Sequence, residues 1–213
     1  MLPANARIVF CPYCGGTKEL LSLMSGNTFG ARYWSDLKMQ APMLPQISPV
    51  QKCPHCGKYY LHYKQKSEDG ERPSFELGEL SYSEWKEAYS QLKKERENSN
   101  QLKKVDERDL AIICLRIIQA YNDNYERDCM AEFSSEEWNY KRKVVMDFIN
   151  NKNKPDDMHP FLIPELFREI GIMDPDFLSM EAYEKLEGVD KIYYDSIIER
   201  MEADDTKVFE LIF

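Results

Sequence analysis

The stretches CPYCG (Cys11–Gly15) and CPHCG (Cys53–Gly57) are two copies of one motif, C-P-x-C-G, in a chain of 213 residues. Two residues between cysteines let the backbone turn tightly and aim both sulfurs at one point. The glycine that follows tolerates the left-handed conformation such a turn requires. Two such turns supply four thiolates in a tetrahedron, a closed set with no open position for substrate. The spacing therefore predicts one structural Zn2+ held by Cys11, Cys14, Cys53 and Cys56. Between Cys14 and Cys53 lie 38 residues, against roughly 15–20 in a compact ribbon, so the ribbon is expected to carry an inserted loop.

A redox reading competes with this one. CPYC, preceded by RIVF and followed by LLSLM, resembles the glutaredoxin active site, where the first cysteine is a low-pKa nucleophile at a helix N-terminus. The resemblance leaves the matched CPHCG without a role. Gly15-Gly16 is also a poor helix opening, since each glycine costs about 1 kcal/mol relative to alanine inside a helix. A thiol-disulfide oxidoreductase is thus the less favoured alternative.

Composition frames both readings. At 43% apolar and 12% aromatic residues, the chain can build a real core. MLPANARIVF lacks the apolar run of a signal peptide, and no stretch approaches the roughly 20 apolar residues of a membrane span. A cytoplasmic protein without membrane contact is expected, with thiols kept reduced. Residues 1–66 hold eight Lys/Arg against two acidic residues, a formal +6, whereas the remainder holds 20 basic and 35 acidic residues, a formal −15. Such asymmetry suggests two units with different surfaces.

Residues 8–64 read as short strands and turns, and Lys58–Lys64 alternates with period two. KSEDGERPS (66–74) is polar with Gly and Pro and reads as a linker. Helices follow. Ser81 and Glu84 form a capping box opening a helix to about Arg96. Leu110, Ile113, Cys114, Ile117 and Tyr121 make a helical stripe within about 107–130. Ser134 and Glu137 form a second capping box, followed by Trp138, Val145 and Phe148. Ile163, Leu166, Phe167 and Ile170 mark a helix that stops at Gly171. Two last stripes are Phe177, Met180, Tyr183 and Leu186, then Val189, Ile192, Tyr193, Ile197 and Met201. The expected fold is α+β: a zinc ribbon with an inserted loop over 1–66, a linker over 67–80, and antiparallel, repeat-like helix hairpins over 81–213.

Other polar residues add little. Cys114 and Cys129 fall in the helical stretch and read as core. His55 and His62 lie by the second knuckle, where four cysteines already suffice. His159, near Asp156 and Asp157, reads as loop, and no nucleophile or partner base accompanies it. No enzymatic activity is expected.

The span CPYCGG…SGNTFGARYWSD…APMLPQISPVQKCPHCGKYY resembles the N-terminal zinc ribbon of uncharacterised bacterial cytoplasmic proteins, in which a helical region similar to degenerate tetratricopeptide repeats follows. PELFREIGIMDPDFLSMEAYEKLE (164–187) is loosely similar to one such repeat but lacks its full pattern. The resemblance implies zinc and a scaffold role and supplies no reaction. The leading expectation is accordingly a non-enzymatic scaffold for an unknown protein partner. The alternative is a nucleic-acid-binding ribbon, for which the positive charge and Tyr33, Trp34, Tyr59, Tyr60 and Tyr63 would serve. Within GNTFGARYWSD (26–36), Arg32, Trp34 and Asp36, with Met43, form a candidate partner-binding patch, because aromatic and arginine anchors dominate binding surfaces. In the competing reading, Trp34 packs over the knuckles while Arg32 and Asp36 pair on the edge.

Overall fold

The computed structural model describes residues 1–97, 105–127, 134–151, 160–173 and 180–212. Its strands are β1 (Leu2–Pro3), β2 (Arg7–Phe10), β3 (Thr17–Leu20), β4 (Leu23–Ser25), β5 (Arg32–Trp34), β6 (Met39–Gln40), β7 (Val50–Lys52), β8 (Tyr59–Leu61) and β9 (Ser67–Asp69). Then come helices α1 (Tyr82–Glu97), α2 (Glu107–Tyr125), α3 (Ser135–Ile149), α4 (Leu162–Glu169), α5 (Met180–Tyr183) and α6 (Gly188–Glu202), and a last strand β10 (Glu210–Leu211). The fold is α+β, with short antiparallel strands before the helices.

The chain gathers into two compact units at boundaries other than those of the linear reading. The first comprises Met1–Ala31 and Gln40–Ile113, the second Arg32–Met39 and Cys114–Phe213. Helix α1 and the start of α2 therefore belong with the ribbon, and part of the inserted loop belongs with the later helices.

In the first unit β2 lies between β3 and β9, antiparallel to both, with Val9 opposite Lys18 on one side and Ser67 on the other. β7 pairs with β8, and β1 with β4. Strand β9 corrects the expected linker: Ser67–Asp69 of KSEDGERPS is an edge strand, held by backbone pairing that a polar sequence does not advertise. The predicted alternation after the second knuckle also ends early. Tyr59, Tyr60 and Leu61 are all buried and the chain then turns through a 3-10 helix, His62–Lys64. The reason is α1, which packs against β8. The Gln91 carboxamide accepts from Tyr59 N at 3.1 Å and donates to Tyr59 O at 2.9 Å, standing in for a neighbouring strand. The capping box of α1 is complete: Glu84 N donates to Ser81 Oγ and Ser81 N to Glu84 Oε2.

The second unit is built from α3, α4, α6 and the later part of α2, together with 32–39 and β10. α4 packs against α3 and α6, and β10 pairs with β5. Phe161, Tyr193, Ile197, Met201 and Phe209 form one apolar cluster. The stripe of α2 is buried from Leu110 to Tyr121 as expected, and that helix ends at Tyr125, short of the expected 130. Gly171 stops α4 in the manner anticipated. At φ +77° it lets its own N–H reach Arg168 O while Ile172 N reaches Phe167 O, both orphan carbonyls of the helix end.

Two stripes are corrected. α4 buries Glu165, Arg168 and Glu169 besides Leu162 and Leu166, while Ile163 and Phe167 are only half-buried. In α6, Val189 and Ile192 are exposed and Tyr193, Ile197 and Met201 are buried. The charged side chains of α4 lie inside because they are paired there. Arg168 Nη2 donates to Glu165 Oε1 at 2.6 Å, Lys141 binds Glu126 at 2.7 Å and Glu169 at 3.0 Å, and Arg127 pairs with Asp36 and Asp123. Cys129, His159 and Phe177 lie outside the described residues. Among the described residues no helix is long and apolar enough to cross a membrane.

Candidate metal centre

Each cysteine motif is the turn of a hairpin, between β2 and β3 in one case and β7 and β8 in the other. The two turns repeat the same hydrogen bonds. Gly15 N donates to Cys11 O and Cys11 N to Gly16 O; Gly57 N donates to Cys53 O and Cys53 N to Lys58 O. Gly15 and Gly57 take φ of +71° and +72°, with nothing near the position a Cβ would occupy. Glycine is required there by backbone angle and not by space. Gly16 differs: a Cβ on it would lie 2.3 Å from the His55 ring, so one knuckle closes over the other. That gives the second glycine of CPYCGG, and His55, a role in packing and not in ligation.

The turns bring all four sulfurs within 4.8 Å of one another. Cys11 Sγ is 3.7 Å from Cys56 Sγ and Cys14 Sγ is 3.6 Å from Cys53 Sγ. Four sulfurs at about 2.3 Å from a tetrahedral ion would stand about 3.8 Å apart along each edge. The residues fit a four-coordinate ion, and all four cysteines are free thiols. Cys11 and Cys53 are buried with Val9, Leu20 and Tyr60, whereas Cys14 and Cys56 are exposed.

Their electrostatics differ accordingly. Burial pushes the Cys11 thiol up to about 12. Burial also pushes Cys53 upward, but the backbone N–H groups of Cys56 and His55 outweigh it and hold that thiol at about 7. Backbone amides aimed at Sγ stabilise a thiolate, as a metal ligand needs. Tyr60, 2% exposed, carries a buried hydroxyl with no hydrogen-bond partner in the same cluster. His62 Nδ1 is likewise buried and unpartnered, and burial lowers that imidazole to about 4. Neither histidine joins the four sulfurs.

The candidate partner patch does not assemble as expected. Met43 belongs to the first unit and Arg32, Trp34 and Asp36 to the second. Trp34 is 5% exposed and Asp36 0%, so neither presents a surface. The competing reading pairs Arg32 with Asp36, and each of them has another charged partner. Arg32 Nη2 binds Glu210 on β10 at 2.7 Å, and Asp36 is bound by Arg127 and Asn122. Trp34 lies against two guanidinium groups, Arg32 at 4.7 Å and Arg127 at 4.8 Å. A sequence that alternates Arg-Tyr-Trp gives no hint that the second cation, Arg127, stands almost a hundred residues away.

The exposed aromatic of the insert is a different one. Asn27 and Gly30 form a turn: Asn27 Oδ1 accepts from Phe29 N, and Gly30 takes φ +71°. At its tip Phe29 is 86% exposed, and Met24 on the adjoining strand is 72% exposed. Asn27 N donates to Met43 O, tying the turn to the exposed Met43.

Comparison with protein-family models, with curated proteins and with solved structures finds no match for this chain. Its reading rests on its own residues.

Proposed function

We propose that the chain is a zinc-binding, non-enzymatic interaction scaffold that presents surfaces to a protein partner. The observation that carries the metal half is the clustering of four free thiols, two of the spacings matching the edge of a tetrahedral site. An ion held by Cys11, Cys14, Cys53 and Cys56 has its coordination filled, so its role is to hold the ribbon together. The partner half is supported by the Phe29 turn, where Met24 and Met43 flank an aromatic that the fold leaves in water. Aromatic and methionine side chains are favoured contact residues at protein interfaces.

The charges of the ribbon favour a protein over a nucleic acid. Lys18, Lys52, Lys64 and Lys66 are ion-paired with Glu76, Glu84, Asp106 and Glu68. Lys58 lies over the Tyr13 ring at 4.7 Å. Counted over its whole length, the first unit holds 14 basic and 13 acidic residues: its part of residues 1–66 carries a formal +5, and residues 67–113 offset that with −4. Little positive charge is left for phosphates.

Elemental analysis of protein purified without added metal tests the first half, and one zinc per chain is the expected result. Iron in the same amount would change the metal, whereas absence of both with a reversible Cys11–Cys14 disulfide would favour the oxidoreductase. For the second half, affinity capture is compared between wild type and Phe29→Ser. A protein retained by the wild type should be lost from the variant, with zinc content and melting temperature unchanged. Binding to single- or double-stranded nucleic acid that weakens steeply with salt would overturn the protein-partner reading.

A further inference from the structure

The centre of the second unit holds a chain of buried charges in which one carboxylate has to share its cation. Among the described residues three cations are buried there, Arg127, Lys141 and Arg168, while the half-buried Arg116 lies near Asp36 and Asp123. Each of the three has an anion of its own. Arg127 pairs with Asp36, Lys141 with Glu126 at 2.7 Å, and Arg168 with Glu165 at 2.6 Å. Asp123, which also pairs with Arg127, is partly exposed and is balanced by Lys38. Glu169 is left over. It is 0% exposed, 3.0 Å from a lysine already matched by Glu126.

Hydrogen bonding points the same way. Asn122 Nδ2 donates to Asp36 Oδ2 at 2.8 Å and to Glu169 Oε2 at 3.1 Å, which uses both protons of that amide. Asn122 Oδ1 and Glu169 Oε1 are then two buried acceptors without a donor, on side chains already bonded to each other. Two acceptors cannot satisfy one another unless one carries a proton. We infer that Glu169 is a proton-binding site: in the folded chain at neutral pH its carboxyl group is neutral and donates to Asn122 Oδ1. Both orphan oxygens are then paired.

The surroundings support a held proton. Burial raises the Glu169 carboxyl from its ordinary 4.5 to about 8, with Lys141 opposing the rise and Glu165, Glu126 and Asp36 adding to it. These groups come from every element around it: Lys141 from α3, Glu165 and Arg168 from α4 itself, Asn122, Glu126 and Arg127 from α2 and the residues just after it, Asp36 from 32–39, and Tyr193 from α6. Losing the proton would place an unmatched negative charge beside the Asn122 amide that holds Asp36. The site thereby links the anchoring of residues 32–39 to pH. Because the folded state binds a proton that the unfolded chain has already released, stability falls as pH rises between about 4.5 and about 8 and is level above that. Within that window the unfolding constant rises up to about tenfold per pH unit from this group alone.

The test uses the full chain with 13C-labelled glutamate carboxyl groups, titrated by NMR and assigned by comparison with Glu169→Gln. One carboxyl signal, absent from the variant, should have the neutral chemical shift at pH 7 and titrate near pH 8. A Glu169 signal already ionised at pH 7 and titrating below pH 5 overturns the inference, and a bridging water between the two oxygens would produce that result. Glu169→Gln supplies the second arm, since its amide can donate where the held proton did. The urea midpoint of the variant should lose the wild-type fall between pH 6 and 8. Equal slopes in both proteins count against the site. If the variant does not fold, the wild-type titration decides alone, its signal assigned through Asn122→Asp, which should shift it.

Discussion

Gly57 stands at φ +72° with free space around it, so an alanine there meets strain in the backbone and nothing else. Gly57→Ala should lower the stability of the first unit by about 1–2 kcal/mol while the cysteines still bind metal. A urea titration with metal at saturation measures the loss, and a shift near zero would mean the knuckle relaxes freely. Trp34 poses the opposite case, a large side chain fully used by packing. Trp34→Ala should cost about 3–5 kcal/mol, through the lost burial and the two guanidinium contacts, and leave the zinc content unchanged. A variant that keeps its melting temperature, or one that loses zinc, contradicts the placement of Trp34 in the second unit. The left-handed glycines were legible in the sequence because a knuckle turn is local. The burial of Trp34 was not, since Arg127 meets it only through the folded chain.

Helix α1 shows what a single element contributes. Its capping box was readable from residues within one turn of each other, and it is present. Its docking was not readable. Gln91 completes the edge of β8 with two hydrogen bonds to one residue, and it also donates to Glu95 Oε1 and the Tyr13 hydroxyl. Tyr13 in turn donates to Glu95 at 2.6 Å. Gln91→Ala removes the side-chain partner of the Tyr59 N–H and leaves its carbonyl to the Tyr13 hydroxyl at 3.2 Å, which should cost about 1–3 kcal/mol. Hydrogen exchange at the Tyr59 amide is the direct measurement, expected to quicken at least tenfold in the variant. Unchanged protection at Tyr59 would show that another group holds that edge. Likewise Glu165, Arg168 and Lys141 are charged residues, which a binary pattern assigns to solvent. An i,i+3 Glu–Arg pair on α4, and a lysine in register with Val144, Val145 and Phe148 on α3, were the available signals.

At the scale of the whole molecule, metal should matter to one unit and not the other. The core around the knuckles consists of Val9, Cys11, Leu20, Cys53 and Tyr60, two of which are ligands, too little apolar mass to hold a ribbon without an ion. Chelation of the full chain should therefore release protection at amides of β2, β3, β7 and β8 while α3, α4 and α6 stay protected. Loss spread evenly over both units, or none at all, would contradict it. The sequence by itself determined the four candidate ligand cysteines, the turns that carry them, the capped helix starts and the order of strands before helices, because each depends on residues within a few positions. Only the tertiary structure decided that 32–39 joins the later helices, that the polar stretch after Lys66 holds an edge strand, and that the ribbon's lysines are paired. It alone placed Asp36, Asn122, Lys141 and Glu169 in one buried cluster. The physical reason is that a charged side chain is stable inside only beside partners that folding supplies, and those partners come from segments far apart in the chain.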